Sequence, residues 1–246
     1  LEYEGTAYRG SQVQQGLPTI QGELARALYQ LTGERPRLSF AGRTDAGAHA
    51  WGQVASAVLA SPLARERLVA GLNHYLPESI AVREACWAAR DFDVRRSPAR
   101  RCYRYTIVNT AQRSPLWRGR AYHVAETLDA GAMDVAIRSQ VGRRDVGPFV
   151  RMAGLGGRST LRTIYRARAW RDGNLVQVEL EGDAFLPQQV RRTVGTLIQV
   201  GKGRLSAEEF GALAEGRGPG RAGPVAPACG LYLMRVEYRD PSQSGC

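Results

Sequence analysis

The amino-acid sequence predicts an α+β protein in which two α/β subdomains share a mainly antiparallel sheet. The chain has 246 residues, enough for two small domains with a sizeable core. Helical and strand periodicities alternate along each half. The strands are short, and two of them flank the hairpin signal Asp172-Gly173-Asn174, which favours antiparallel pairing.

The first half alternates short strands with two helices. A strand ends near Tyr3, and further strands are predicted at 37–41, 53–59 and 80–88. The first helix is predicted from apolar residues at helical spacing, which are Ile20, Leu24, Ala27, Leu28 and Leu31. The second helix is predicted from Pro62 to about Tyr75, and its inward residues are Leu63, Leu68 and Leu72.

A polar connection, RDFDVRRSPARR, separates the two halves of the chain at residues 90–101. We therefore predict an N-terminal subdomain at 1–98 and a C-terminal subdomain at 99–246. The first carries the unusual stretch AGRTDAGAHA at 41–50, and the second carries Tyr103 and the helix that contains Arg191.

The second half begins with a strand at 102–109 and continues with a helix at about 128–140. The segment GLGGRST at 154–160 lacks the lysine and the spacing of a phosphate-binding loop, so a flexible loop is predicted. After the hairpin, a helix is predicted at 186–200 with Pro187 at an early position. A capping box of Ser206 with Glu209 begins another helix, and LYLMRVEY closes the chain as a strand.

The charge of the chain indicates a polyanionic partner. Bases outnumber acids by 34 to 23, and the net charge is +11. Because Lys202 is the only lysine, codon bias explains the preference for arginine, but it explains the excess of bases less well. Nucleic acid is therefore favoured over a merely basic surface.

Asp45 is the candidate reactive residue of the stretch AGRTDAGAHA. The alternative is a turn or helix-capping aspartate, which is what most such residues are. Small neighbours leave room for a ligand, and Arg43 would lower the pKa of a nearby carboxyl group. A carboxylate nucleophile needs that ionised state. Arg43 is alternatively directed to solvent or to a phosphate.

Arg191 lies on the flank of the apolar face formed by Val190, Val194, Leu197 and Ile198. A partly buried arginine is costly unless it is paired, and Asp45 is one candidate partner. The alternative is that its aliphatic stem packs on the helix while the charge reaches water.

Nothing in the sequence indicates a metal or a membrane span. The cysteines are too far apart in sequence for a C-x-x-C pair, and the three histidines are scattered. Cys86 and Cys102 are expected to be small core residues, which suits a reducing cytoplasm. No apolar run approaches the roughly 20 residues of a membrane helix.

Five blocks of this sequence resemble, in order and over nearly its full length, the motifs of tRNA pseudouridine synthases of the TruA type. The stretch GRTDAGAHA resembles the signature GRTDxGVHA of that family. The other four blocks are LEYEGTAYRGSQVQ, RRCYRYTIVN, AFLPQQVRRTVG and APACGLYLMRVEY. One such block would be weak, but five in family order are specific.

The resemblance implies the pseudouridine synthase fold with a central cleft, and isomerisation of uridine to pseudouridine in tRNA without metal or cofactor. It implies that Asp45 is the nucleophile and that Tyr103 stacks on the target uracil. Arg191, and Arg43 with it, would hold Asp45 ionised and in place. The family's target is the anticodon arm at positions thirty-eight to forty, and its members act as homodimers. For Tyr103, the alternative without the resemblance is a core strand aromatic.

The sequence departs from the family pattern at several positions. Ser11 stands where tryptophan is usual, Ala48 replaces valine, and Asp93 stands where histidine is frequent. The segment 187–189 replaces a run that usually ends in methionine. None of these is a proposed catalytic position, but the changes at 11 and 93 affect the expected RNA contacts.

Two other functions compete with the isomerase. A non-catalytic RNA-binding protein would keep the arginine surface and would not need Asp45. A hydrolase or phosphotransferase with an aspartate nucleophile would use Asp91 and Asp93 to recruit Mg²⁺, although that pair follows no apolar strand.

Overall fold

The computed structural model describes residues 1–61, 63–150, 155, 157, 159–216 and 222–238. The chain divides into two units, Leu1–Ala99 together with the chain from Leu233 onward, and Arg100–Tyr232. The subdomain boundary at 98–99 stays a prediction. The first segment of the first unit ends at Ala99, and the sequence pattern does not indicate that the chain from Leu233 onward belongs to that unit. None of the described helices has the length and apolar character needed to cross a membrane.

The described residues of the first half of the chain form two α-helices and five very short strands. These are β1 Glu2–Tyr3, α1 Ile20–Thr32, β2 Ser39–Phe40, β3 His49–Ala50, β4 Ala55–Ser56, α2 Arg65–Tyr75 and β5 Ile80–Ala81. β1 pairs antiparallel with β3 on one side and β5 on the other, and β2 pairs with β4. α1 packs against α2. Thr19 begins α1 by accepting the N–H of Gly22, as an N-cap side chain does.

Where the structure describes it, the rest of the chain contains the longer strands and three α-helices. They are β6 Pro98–Asn109, β7 Tyr122–Val124, α3 Ala130–Ile137, β8 Gly142–Asp145, β9 Leu161–Asp172, β10 Leu175–Gly182, α4 Gln189–Gly201, α5 Ala207–Glu215 and β11 Leu231–Tyr238. The order β6-β10-β9-β8 is antiparallel throughout, and β7 adds to β6 in parallel. The α+β class, the mainly antiparallel pairing and the hairpin at Gly173-Asn174 are therefore confirmed.

The core of the second unit follows from the alternation along β6 and β10. Tyr105 and Ile107 on β6, and Val178 and Leu180 on β10, are fully buried. α3 packs on β9 and also contacts α4 and α5. On β10 apolar and polar residues alternate, but both faces are buried from Val176 to Gly182, so the strand is covered on both sides. The long apolar stripe on α4 is what the sequence pattern predicts.

The ends of several elements differ from the prediction. The strands predicted at 37–41, 53–59 and 80–88 shorten to two residues each. α4 begins at Gln189, so Pro187 precedes it: Gln188 has a left-handed backbone, and the Gln189 side chain accepts the N–H of Leu186. α2 begins at Arg65, and Pro62 and part of the loop 154–160 lie outside the described residues. Cys102 is buried as expected, but Cys86 is partly exposed.

A buried carboxylate joins three strands on the polar side of the second unit. Glu179 on β10 lies opposite Arg104 on β6 and Arg168 on β9, with both N–O distances 2.8 Å. The Glu179 side chain is only 3% exposed. Burial raises its pKa, but the hydrogen bond from Arg104 and the charge of Arg168 outweigh burial and hold that pKa below its usual value.

Glu179→Gln is expected to lower the free energy of unfolding by about 2 kcal/mol near neutral pH, because the charge-assisted hydrogen bonds that Glu179 accepts from Arg104 and Arg168 are weakened or lost. A carboxyl group whose pKa is lower in the folded state stabilises the fold above its unfolded value and loses that effect as the pH falls through the folded value. The difference in melting temperature between wild type and variant should therefore shrink below about pH 4.5. Glu126→Gln is the control, because Glu126 also contacts two bases, Lys202 and Arg204, but is exposed. An equally large effect of both variants would contradict the role of burial.

Candidate active site

The stretch AGRTDAGAHA forms a loop between β2 and β3 in the first unit. Ala41 donates its N–H to Val54 beside the β2–β4 pair, and the stretch ends in His49 and Ala50 of β3. Between them the N–H of Ala48 bonds to the carbonyl of Asp45 at 3.1 Å, which closes a turn. β3 was not predicted, because a two-residue strand gives too little periodicity to detect.

Three buried side chains hold the loop on either side of Arg43. Ser11 Oγ accepts the N–H of Thr44 at 2.9 Å, and the hydroxyls of Tyr3 and Thr44 lie 2.8 Å apart. Gln53 donates to the carbonyl of Gly42 at 2.9 Å and accepts its N–H at 3.3 Å. The main chain around the arginine is thereby fixed at two adjacent positions.

The end of the loop lies directly against the first strand. A Cβ atom at Gly5 would stand 1.8 Å from the carbonyl oxygen of Ala48, so only glycine allows this approach. The N–H of Gly5 also donates to Nδ1 of His49 at 3.0 Å. Since Nδ1 accepts that bond, it carries no proton, and its 3.6 Å approach to Glu4 is not an ion pair. His49, only 2% exposed, thus holds the segment that follows β1.

The two predicted residues of the loop differ in exposure. The side chain of Arg43 is exposed, and Asp45 is partly exposed between the buried Thr44 and the exposed Ala46. A partly exposed carboxylate on a firmly bonded loop can reach a ligand while keeping a defined position. Asp45 also begins the turn through its carbonyl, and its role as the nucleophile stays a prediction.

Tyr103 lies in the second unit on β6, opposite Leu180 of β10. Its side chain is 6% exposed, and its ring meets Phe185 edge to face, with ring centroids 5.0 Å apart and an interplanar angle of 74°. An edge-to-face neighbour restrains the ring orientation. Both aromatic residues belong to blocks on which the family resemblance was based.

Arg191 lies on the first turns of α4 and is partly exposed, as the helical spacing predicted. Its Nε–H donates to the carbonyl of Ala226 at 2.7 Å, and the N–H of Ala226 returns a bond of 3.1 Å to the carbonyl of Arg191. Arg191 therefore also fastens the segment before β11 to α4. The sequence offered no sign of this contact, which joins residues 35 positions apart.

Sequence reasoning found the loop and missed the residues that hold it. Tyr3, Ser11 and Gln53 belong to three separate segments and have no common spacing. Ser11 was singled out only because it departs from the family pattern. Asp45 and Arg43 lie in the first unit, and Tyr103 and Arg191 in the second; that these four side chains act at one site stays a prediction.

One of the two acids that the competing hydrolase would use, Asp93, has a structural role. Asp93 Oδ1 accepts the N–H groups of Arg95 and Arg96 at 2.8 and 3.0 Å, and these two bonds lower its pKa. Among the described residues, no group of three histidine, cysteine or acidic side chains is placed to hold a metal ion.

The sequence is similar to known proteins along nearly its whole length. Residues 136–239 match the family model described as tRNA pseudouridine synthase. The tRNA pseudouridine synthase A of Roseiflexus sp. (strain RS-1) is 45% identical over 242 residues, which cover 97% of this chain and 88% of the relative. The enzyme of the same name from Pelobacter propionicus is 42% identical over 238 residues, 97% of both chains. That from Azorhizobium caulinodans is 41% identical over 239 residues, 97% of this chain and 92% of the relative. This chain therefore belongs to the tRNA pseudouridine synthase family.

Proposed function

We propose that the protein isomerises uridine to pseudouridine in the anticodon stem-loop of tRNA, at positions thirty-eight to forty, with Asp45 as the nucleophile. The observation that carries the assignment is the Asp45 loop, in which a partly exposed carboxylate is held by bonds to both neighbouring residues of Arg43. Family membership supplies the reaction class.

The reaction is an isomerisation, so its atoms balance without a co-reactant. The bond between C1′ of the ribose and N1 of the uracil breaks, the base rotates, and a bond forms between C1′ and C5. The proton leaves C5, and N1 gains one. Asp45 attacks either C6 of the uracil or C1′ of the ribose, and in both cases it must be ionised and within bonding distance.

The other site residues are assigned by what their side chains can supply. Arg191 and Arg43 are assigned as the positively charged residues of the site, and exposed Arg43 can alternatively hold a phosphate. Tyr103 provides a ring for the target uracil. Flipping a base out of a stem costs roughly a few kcal/mol, and one aromatic contact returns about 1–3 kcal/mol. The net charge of +11 favours binding through phosphates.

The proposal includes a cytoplasmic homodimer in which both subunits contact one tRNA. Size-exclusion chromatography with light scattering, with and without tRNA, tests this part separately. The dimer follows from the family resemblance. A monomer with full activity would contradict the dimer but would leave the assignment of Asp45 unaffected.

The deciding experiment is to map pseudouridine in unmodified tRNA incubated with the purified protein. Pseudouridine at one or more of positions thirty-eight to forty is expected, without added metal and in the presence of EDTA. Binding of tRNA without modification would instead favour the RNA-binding alternative. Loss of turnover with EDTA would favour the metal-dependent hydrolase.

Tyr103→Phe keeps the ring and removes the hydroxyl, so we expect tRNA affinity within about twofold of wild type. If the hydroxyl assists removal of the C5 proton, single-turnover rates should fall by about 10²–10⁴-fold, as for loss of a general base. If Tyr103 only stacks, the rate should stay near wild type and Tyr103→Leu should weaken binding. Tyr105→Phe is the matched control, because the fully buried Tyr105 donates to the carbonyl of Pro227 at 2.6 Å.

A further inference from the structure

The residues that hold the Asp45 loop are buried and connected to each other. Ser11 is 1% exposed, Tyr3 is 3% exposed and Gln53 is 1% exposed. Gln53 donates to the Tyr3 oxygen at 3.3 Å, and the hydroxyls of Tyr3 and Thr44 share a hydrogen bond of 2.8 Å. Burial raises the pKa of Tyr3 to about 12, so this hydroxyl stays protonated under ordinary assay conditions.

Ser11 and Thr44 form a closed pair of hydrogen bonds. The N–H of Thr44 donates to Ser11 Oγ at 2.9 Å, and the N–H of Ser11 donates to the carbonyl of Thr44 at 3.2 Å. The first bond fixes the peptide plane between Arg43 and Thr44. The second fixes the peptide plane between Thr44 and Asp45, and this plane includes the backbone nitrogen of Asp45.

The start of helix α1 anchors Ser11 in turn. The N–H of Gln21 donates to the carbonyl of Ser11 at 3.0 Å, and the N–H of Ile20 donates to that of Gly10 at 3.3 Å. Both donors belong to the first turn of α1, where backbone N–H groups lack partners inside the helix. The Asp45 loop is thus tied through Ser11 to a 13-residue helix.

We propose that Ser11 is a positioning residue for Asp45, acting through both peptide planes of Thr44. Tyr3 supports the side chain of Thr44, and Gln53 supports the main chain of Gly42. This inference rests on the proposed function, in which Asp45 is the nucleophile. Ser11 does not touch the substrate. Its effect is to keep the Asp45 carboxylate at the distance from the uridine that the attack requires, and an error of about 1 Å costs on the order of a hundredfold in rate.

The test is a series of variants at position 11 assayed by single-turnover kinetics on one tRNA transcript. Ser11→Ala removes the acceptor and should lower kcat about 10–100-fold, with KM and tRNA affinity within about twofold of wild type. Cysteine has a similar shape to serine and a weaker acceptor, so the kcat of Ser11→Cys should lie between those of wild type and Ser11→Ala. A merely structural role would lower the folded fraction and leave the kcat of the folded protein unchanged.

Ser206→Ala is the matched control. Ser206 Oγ also accepts one backbone N–H, that of Glu209 at 3.0 Å, but at the start of α5 in the second unit. It should lose similar stability and keep wild-type kcat. If Ser11→Ala fails to fold, Tyr3→Phe replaces it, because that change removes the bond to Thr44 Oγ1 and keeps the ring. We then expect a loss of kcat at unchanged KM.

Two results would overturn the inference. The first is a wild-type kcat in Ser11→Ala, and the second is a raised KM at unchanged kcat. If Ser11→Ala does not fold, the same two results are sought in Tyr3→Phe. These differ from failure of the proposed function. If Asp45→Asn still forms pseudouridine, the nucleophile assignment fails whatever position 11 does. If Asp45→Asn is inactive while Ser11→Ala is normal, only the positioning role is lost.

Discussion

Asp45→Asn is expected to abolish pseudouridine formation while leaving tRNA affinity within about twofold of wild type. The amide has nearly the same shape as the carboxylate but is a far weaker nucleophile, so the rate should fall by at least about a thousandfold. The main-chain bonds of the loop, including that from Ala48 to the carbonyl of Asp45, do not involve the exchanged atoms. The structure of the loop should therefore persist.

The measurement is single-turnover conversion of an anticodon stem-loop transcript, with binding followed separately. Asp129→Asn is the control, because it removes the same charge at the N-cap of α3, where asparagine caps about as well as aspartate. It should leave both rate and affinity unchanged. Asp45→Asn activity above about a tenth of wild type would exclude Asp45 as the nucleophile.

Gly195→Ala is expected to lower the free energy of unfolding by about 3 kcal/mol or more, against the direction that helix propensity predicts. Alanine in a helix interior is normally better than glycine by about 1 kcal/mol. In α4, however, a Cβ atom at position 195 would lie 1.7 Å from the carbonyl oxygen of Pro224. Overpacking against main chain is among the mechanisms that produce unusually large losses.

The contacting segment is fastened to α4 on both sides of Pro224. Gly223 donates to Thr196 Oγ1 at 2.9 Å, and Ala226 exchanges bonds with Arg191. Moving the segment aside would therefore break these bonds. Since one of them holds the Arg191 side chain, Gly195→Ala should reduce activity as well as stability.

Gly211→Ala provides the comparison within the same unit. Gly211 lies in α5, and its nearest neighbour to an added Cβ atom is Ser139 at 3.8 Å, an ordinary contact. This variant should gain about 0.5–1 kcal/mol. Urea denaturation of both variants checks the pair. A stabilising Gly195→Ala would show that the close approach to Pro224 does not constrain the helix.

Elements with a strong local pattern were predictable. α1 has five apolar residues at helical spacing, and all five lie within the helix Ile20–Thr32. The β9–β10 hairpin has long alternating strands around Gly173, and it too was correct. Short strands such as β3 and β5 were missed or overextended, because two residues carry no measurable period and pairing with β1 alone defines them.

Part of the candidate site was likewise predictable from the sequence, and part was not. Asp45 was found because small residues around one acid are unusual in a helix or strand, and because the surrounding motif is specific. Ser11, Tyr3 and Gln53 were not found as its supports. Each is an ordinary polar residue in its own segment, and only folding places the three around Gly42 and Thr44.

The sequence by itself determined the α+β class, the family, the basic character and the identity of the candidate nucleophile. These properties depend on local periodicity, composition and contiguous motifs, which are present in the unfolded chain. The tertiary structure alone decided which residues hold Asp45, why position 195 requires glycine, and that Arg191 bonds to Ala226. These contacts join distant segments through distances of a few ångströms, and such distances exist only after the chain has packed.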